Sequence, residues 1–198
     1  MSRAPWVIVA LVLLCAVAAP RAAQADFPRR AFYVGLDGGG IFRLGKWDLG
    51  EATTVSPGFR GEGMGGLRFG VHLLPQFAAE LELAYIPLSH LGARNTMISY
   101  DLNLLFHVLK TANWSPTFEF GFGAYSNVSG NLGLDTDPRV HVGIGVRGLV
   151  TRWMALRADA RDVITDGFGN GTGNNVELTA GLDFFLWVGT PGPTPVSE

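Results

Sequence analysis

After its first 25 residues the chain repeats one pattern: stretches of ten or so residues alternate apolar and polar side chains, and one face of each is free of charge. Leu67, Phe69, Val71 and Leu73 share one side of such a stretch, and Gly66, Arg68, Gly70 and His72 the other. Val142, Ile144 and Val146 oppose Gly143, Gly145 and Arg147, and Leu156, Ala158 and Ala160 oppose Arg157, Asp159 and Arg161. A β-strand turns successive side chains to opposite faces, so this period of two is a strand signal. Long strands with one apolar face and one charged, glycine-rich face suit a small membrane barrel, with lipid outside and a packed polar interior.

The ends of the chain belong to other segments. Arg3 precedes an apolar run from Trp6 to Ala19, and Ala23-Gln24-Ala25 forms an A-x-A cleavage site. Residues 1–25 therefore read as a secretory signal peptide cleaved after Ala25. Cys15, the only cysteine, lies in that run behind Leu14, where a lipoprotein signal would need a small residue. The mature chain is thus expected to lack cysteine, and with it disulfide, thiolate-metal and thiol-nucleophile chemistry. Residues 189–198 read GTPGPTPVSE, a proline- and glycine-rich tail that cannot form a strand. Between them, 26–188 are sufficient for one domain. Without Arg3 and Arg21 the 15 basic residues fall to 13 against 17 acidic ones, which disfavours nucleic acid as a partner. No later apolar run reaches the length of a membrane helix, so entry into a bilayer requires a closed barrel.

Eight strands are expected: 31–40, 63–73, 77–86, 96–109, 117–126, 139–150, 154–163 and 176–188. The predicted fold is all-β, an eight-stranded antiparallel up-and-down transmembrane β-barrel. Three connections are short, at Leu74–Gln76, Lys110–Pro116 and Thr151–Trp153. Four are longer, at Ile41–Glu62, Pro87–Asn95, Asn127–Pro138 and Ile164–Asn175. Short turns at one end and long loops at the other match the bacterial outer-membrane habit, with the short turns in the periplasm. Gly167–Asn175 is expected to be a mobile loop.

The smallest such barrel fills its interior with side chains. Parity sends Asp37, Glu80, Glu82, Asp101, Glu119, Asp159, Glu177 and Asp183 inward, with Arg68, Arg147, Arg157 and Arg161. Glycines on the same face would leave room for the long arginines. Buried charges must be paired. The turn at Pro75 sets Arg68 opposite Glu82 with Glu80 diagonal to it, and Arg147 near Arg157 and Asp159. The candidate site is this lumen charge network of Arg68, Glu80, Glu82, Arg147, Arg157, Asp159 and Arg161.

Other motifs carry less. Gly143-Ile144-Gly145-Val146-Arg147-Gly148 matches GxGxxG, but no helical pattern follows and the glycines keep strand parity, so no nucleotide is expected. His72, His107 and His141 point inward and His90 falls in a loop; they read as hydrogen-bonded lumen histidines, with no metal and no cofactor. The His-x-Ser pair that the lipid A deacylase family carries on one strand does not occur, and no catalytic residue is assigned. Phe27, Phe77, Trp114, Trp153 and Trp187 gather near the short turns, with Tyr85, Tyr100 and Tyr125 elsewhere, as interfacial girdles would place them.

Thr179-x-Gly181-x-x-Phe184-x-Leu186 resembles the last-strand signal by which outer-membrane barrels are recognised for assembly. Leu156–Asp162 resembles the penultimate strand of OmpA-like barrel domains, and a Pro-rich segment directly after the eighth strand is similar to theirs. The resemblance implies outer-membrane lipids and the barrel assembly machinery as partners, and a location in the outer membrane of a Gram-negative bacterium. In full-length OmpA-like proteins such a linker leads to a peptidoglycan-binding domain, a property not carried over to this chain. The expected role is structural or surface-exposed, non-enzymatic, with at most a narrow pore. The alternatives are a soluble lipocalin-like barrel holding an apolar ligand, which shares the same alternation inside out, and a lipid-modifying enzyme of the outer membrane.

Overall fold

The computed structural model describes residues 31–43, 61–90, 93–109, 113–129, 135–167 and 171–188. Eight strands follow one another in chain order: β1 Ala31–Arg43, β2 Gly61–Leu74, β3 Phe77–His90, β4 Ala93–His107, β5 Trp114–Ser129, β6 Asp135–Thr151, β7 Met154–Gly167 and β8 Gly171–Val188. Each pairs antiparallel with the next, and β8 returns to β1, closing the barrel. Closure removes both sheet edges, which is the condition for a β-structure to satisfy its backbone in lipid.

Followed round the barrel, the register runs Tyr33, Gly70, Glu80, Asn103, Gly121, His141, Val163, Asn175 and back to β1 at Arg43, ten residues on from residue 33 to 43. With a rise of about 3.3 Å per residue and strands about 4.8 Å apart, this stagger tilts the strands by roughly 40°. Register irregularities fall only near strand ends, at Phe32/Tyr33, His72/Leu74, Thr96/Met97 and Leu149/Thr151.

The strands outrun the expected ones at the end away from the short turns. Pro87–His90 and Ala93–Asn95 are strand, pairing from Pro87↔Thr96 to His90↔Ala93. Asn127–Ser129 and Asp135–Pro138 likewise belong to β5 and β6. The Gly167–Asn175 loop is corrected most: Gly171–Asn175 are part of β8 and pair with Val163–Gly167 of β7. Backbone hydrogen bonding continues there although the apolar–polar contrast has faded, and pairing, not contrast, defines a strand. The connecting residues 44–60, 91–92, 130–134 and 168–170 lie outside the described residues, as do the expected leader and tail. At the other end the turns tighten to Pro75–Gln76 and Arg152–Trp153, and β5 already begins at Trp114. Backbone bonds tie this end together, from His107 N to Gln76 O (2.7 Å), Leu149 N to Asn113 O (2.6 Å) and Phe185 N to Trp153 O (2.9 Å).

The outer wall is apolar. Phe118, Phe120 and Phe122 are each more than half exposed, as are Leu156 and Ile144. Among the described side chains of the strands, the charged ones are, with one exception, turned inside. This arrangement is the reverse of a soluble barrel with an apolar cavity, and it decides between two readings that share the same alternation.

Candidate functional site in the barrel interior

The interior has three layers. Near the short turns Tyr33, Ala78, Leu105, Leu149, Ala155 and Phe185 pack into one apolar cluster. At the far end Ile41, Met64, Ile86, Leu88, Met97, Tyr125 and Val163 form another. Between them lies the charge network. Two members of the far cluster, Ile41 and Leu88, fell in expected loops; both are almost wholly buried.

Arg161 on β7 donates through Nη1 and Nη2 to both oxygens of Glu82 at 2.9 and 2.6 Å, and Nη2 also lies 2.9 Å from Glu119. Arg157 contacts Glu80 at 2.7 Å, Glu119 at 2.9 Å and Asp159 at 2.6 Å. Arg68 pairs with Asp37, reaches Glu82 at 3.3 Å, Asp159 at 3.5 Å and Glu80 at 3.8 Å, and donates to Thr179 Oγ1 at 3.1 Å. The register sets Arg68 directly opposite Glu82. Arg147 stands opposite Arg157 and two pairs from Asp159, yet its ion pair is with Asp183 at 2.7 Å. There it also meets His72 Nε2 at 3.0 Å and stacks over the Tyr33 ring at 4.2 Å.

Arg139 was missed as an inward base. It pairs with both oxygens of Asp101, donates to Glu177 at 2.6 Å and stacks over Tyr125 at 4.3 Å. The signal was present, since Arg139 shares parity with His141 and Arg147. Asp101 on β4 and Glu177 on β8 stand on opposite walls, so Arg139 on β6 spans between them. Four arginines, Arg68, Arg139, Arg157 and Arg161, thereby join seven carboxylates into one network. Carboxylates outnumber guanidinium groups, and neutral donors serve the excess. Tyr33 Oη donates to Glu80 at 2.8 Å, Tyr125 Oη to Glu177 at 2.7 Å, and Asn103 Nδ2 to Glu82 at 3.2 Å. Tyr125 is thus an interior residue and not part of an interfacial girdle.

The interior glycines make room for more than arginines. A side chain at Gly70 would run into the Tyr33 ring, at Gly121 into Asn103 and His141, and at Gly66 into Asp37, whereas Gly143 faces an arginine, Arg161. His141 lies 3.3 Å from Glu119, and His72 and His107 stack with ring centres 5.0 Å apart. The side chain of His90 lies outside the described residues, although its backbone is strand. Among the described residues no group of three or more His, Cys, Asp or Glu side chains is placed to hold a metal ion. Phe77, Trp114 and Trp153 lie on the outer wall near the short turns. Phe27 and the side chain of Trp187 lie outside the described residues.

The family model described as the outer membrane protein beta-barrel domain matches residues 9–184. Among solved structures, the chain is similar to Neisserial surface protein A, with a TM-score of 0.60 and 15% identity over 77% of this chain and 96% of that one. It is also similar to OprG of Pseudomonas aeruginosa (TM-score 0.49, 10% identity, 81% and 98% covered) and to the N-terminal barrel domain of OprF from the same organism (0.45, 14%, 78% and 99%). No curated protein matches in sequence. At 15% identity the likeness to Neisserial surface protein A shows the fold alone.

Proposed function

This chain belongs to the outer membrane protein β-barrel domain family, and we propose that within it the protein is a sealed, structural barrel of the Gram-negative outer membrane, exported by a leader cleaved after Ala25 and neither a pore nor an enzyme. The observation that carries this reading is the layered interior. A water or ion path would have to cross two apolar clusters and the arginine crosslinks between opposite walls. Arg161 to Glu82 and Arg157 to Glu80 both run from β7 to β3 across the lumen. A packed apolar layer excludes water, and moving an ion through it without partners costs many kcal/mol. The protein's surface role then rests on the connections at the end away from the short turns, held on a rigid wall.

Cell fractionation with a heat-modifiability gel tests the location: a folded, heat-shifting species is expected in the outer membrane. Planar-bilayer recording of the purified protein tests the seal, and flat current traces are expected. Sustained unitary currents from the unmodified protein would refute the sealed barrel while leaving the location intact.

A further inference from the structure

Asp162 stands apart from the other charges described in the strands. Among the outward-facing side chains described in the eight strands, it is the one that carries a charge. Its register partners are Val142 on β6 and Val176 on β8. Ile164 and Val140, paired with each other, continue the apolar wall farther from the short turns, so Asp162 lies inside the apolar band and not beyond it. Among the described residues no hydrogen bond or ion pair reaches its carboxylate.

Directly beside it the wall is thin. Gly143 and Ala160 line an open groove of about 560 Å³ with Phe118, Ile144 and Asp162, and the inward-turned Glu119 and Arg161 border it from below. That volume falls within the range of roughly 300–1,000 Å³ typical of small-ligand sites. An ionisable group facing hydrocarbon is costly and takes a partner of opposite charge where one can reach it.

We propose that this groove holds an acyl chain of a lipid with an ethanolamine head, whose ammonium group pairs with Asp162; the proposal rests on the reading of the chain as a lipid-embedded barrel. The chemistry favours this occupant on two counts. The outward-facing lining of the groove is apolar but for Asp162, as an acyl chain requires, and Asp162 is its one outward-turned charge, since Glu119 and Arg161 are buried. A primary ammonium supplies both positive charge and N–H donors to that carboxylate. A glycerol head on an anionic phosphate would meet it with like charge.

The full chain, refolded into nanodiscs with equal amounts of phosphatidylethanolamine and phosphatidylglycerol and released into the mass spectrometer, reports which lipid stays bound. The ethanolamine lipid should be retained about threefold to fivefold over the glycerol lipid, the range that a single exposed ion pair gives. Asp162→Asn, and Asp162→Ala as a second variant, should erase the preference. Ala160→Phe, or Ala160→Leu where a smaller filler is needed, should lower retention of both lipids. A heat-modifiability gel on the same samples separates loss of the barrel from loss of the site. Equal retention by the unmodified protein, a preference that survives the Asp162→Asn substitution, or unchanged retention in the groove-filled variants would overturn the assignment. So would a switch to phosphatidylglycerol on adding calcium, which would make a bridging cation the partner.

Discussion

Arg161 grips both carboxylate oxygens of Glu82 from the opposite wall of the barrel, at 2.9 and 2.6 Å, whereas Arg68, the cross-strand neighbour of Glu82, reaches it through Nε alone at 3.3 Å. The longer-range contact is therefore the tighter one. A bidentate guanidinium–carboxylate pair is stronger and more directional than a single charged hydrogen bond.

Energetic coupling should follow that ranking. Glu82→Gln and Arg161→Gln should each destabilise the folded barrel by about 3–5 kcal/mol, the cost of leaving a buried charge without its partner. The double substitution should cost less than the sum by about 0.5–3 kcal/mol. Arg68 and Glu82 should show a smaller coupling, because Arg68 keeps Asp37 and Asp159. Urea unfolding in lipid vesicles measures all of these, and strictly additive losses for Arg161 and Glu82 would mean that the two do not meet.

The outer wall makes a second test. Leu83, Leu104, Phe120 and Ile144 face outward and are 40% exposed or more. Arginine at any one of them should cost about 2–4 kcal/mol in a bilayer if it lies near the midplane. Single cysteines at the same positions should react with a lipid-soluble probe. Protection of all four from that probe would place lipid elsewhere.

Two glycines distinguish packing from placement. A methyl group at Gly181 would collide with the backbone of Leu36 and Asp37 on β1, which cannot turn aside as a side chain can. Gly181→Ala should destabilise by about 1–3 kcal/mol. At Gly63 nothing lies within 4 Å of the added atom. Gly63→Ala should be neutral or stabilise by up to about 1 kcal/mol, through a less disordered unfolded chain. Equal effects at both sites would contradict the β1–β8 register.

Topology gives a fourth. An epitope inserted among residues 44–60, between β1 and β2, should be stained by antibody on intact cells. One inserted between Arg152 and Trp153 should need permeabilised cells. Gly171 does not suit such an insertion, since it pairs with Gly167 within the β7–β8 hairpin. The reverse staining pattern would invert the barrel.

Parity alone made much of this legible. It turned Leu83 and Ile144 outward, brought eight strands into order and, once the turn at Pro75 set the register, placed Arg68 with Glu82. It could not say which charges meet across the lumen, because alternation fixes the face of a side chain and not its direction round the axis. Arg147 shows the limit: its register neighbours are those expected, but its partner Asp183 comes from β8, two strands away. Leu88, in the far apolar cluster, was hidden for another reason. Along Tyr85-Ile86-Pro87-Leu88 both faces are apolar, so the alternation that marks a half-buried strand disappears where the strand continues. Two prolines, Pro87 and Pro138, lie within paired strands there, opposite Thr96 and Ala124, where a residue without an N–H weakens the strand signal.

The ten-residue stagger has a consequence for how the chain reaches this state. A slip of one residue at any seam would turn a whole strand inside out, sending groups such as Arg157 and Asp159 into lipid. Because the sheet closes on itself, such an error could not stay local. It would leave β8 out of step with β1 unless a second slip elsewhere cancelled it. The β1–β8 seam thus works as a checksum: it can zip along its full length only when the registers of the other seven add up. A mis-threaded chain would be left with two open edges, and would be recognisable as unfinished.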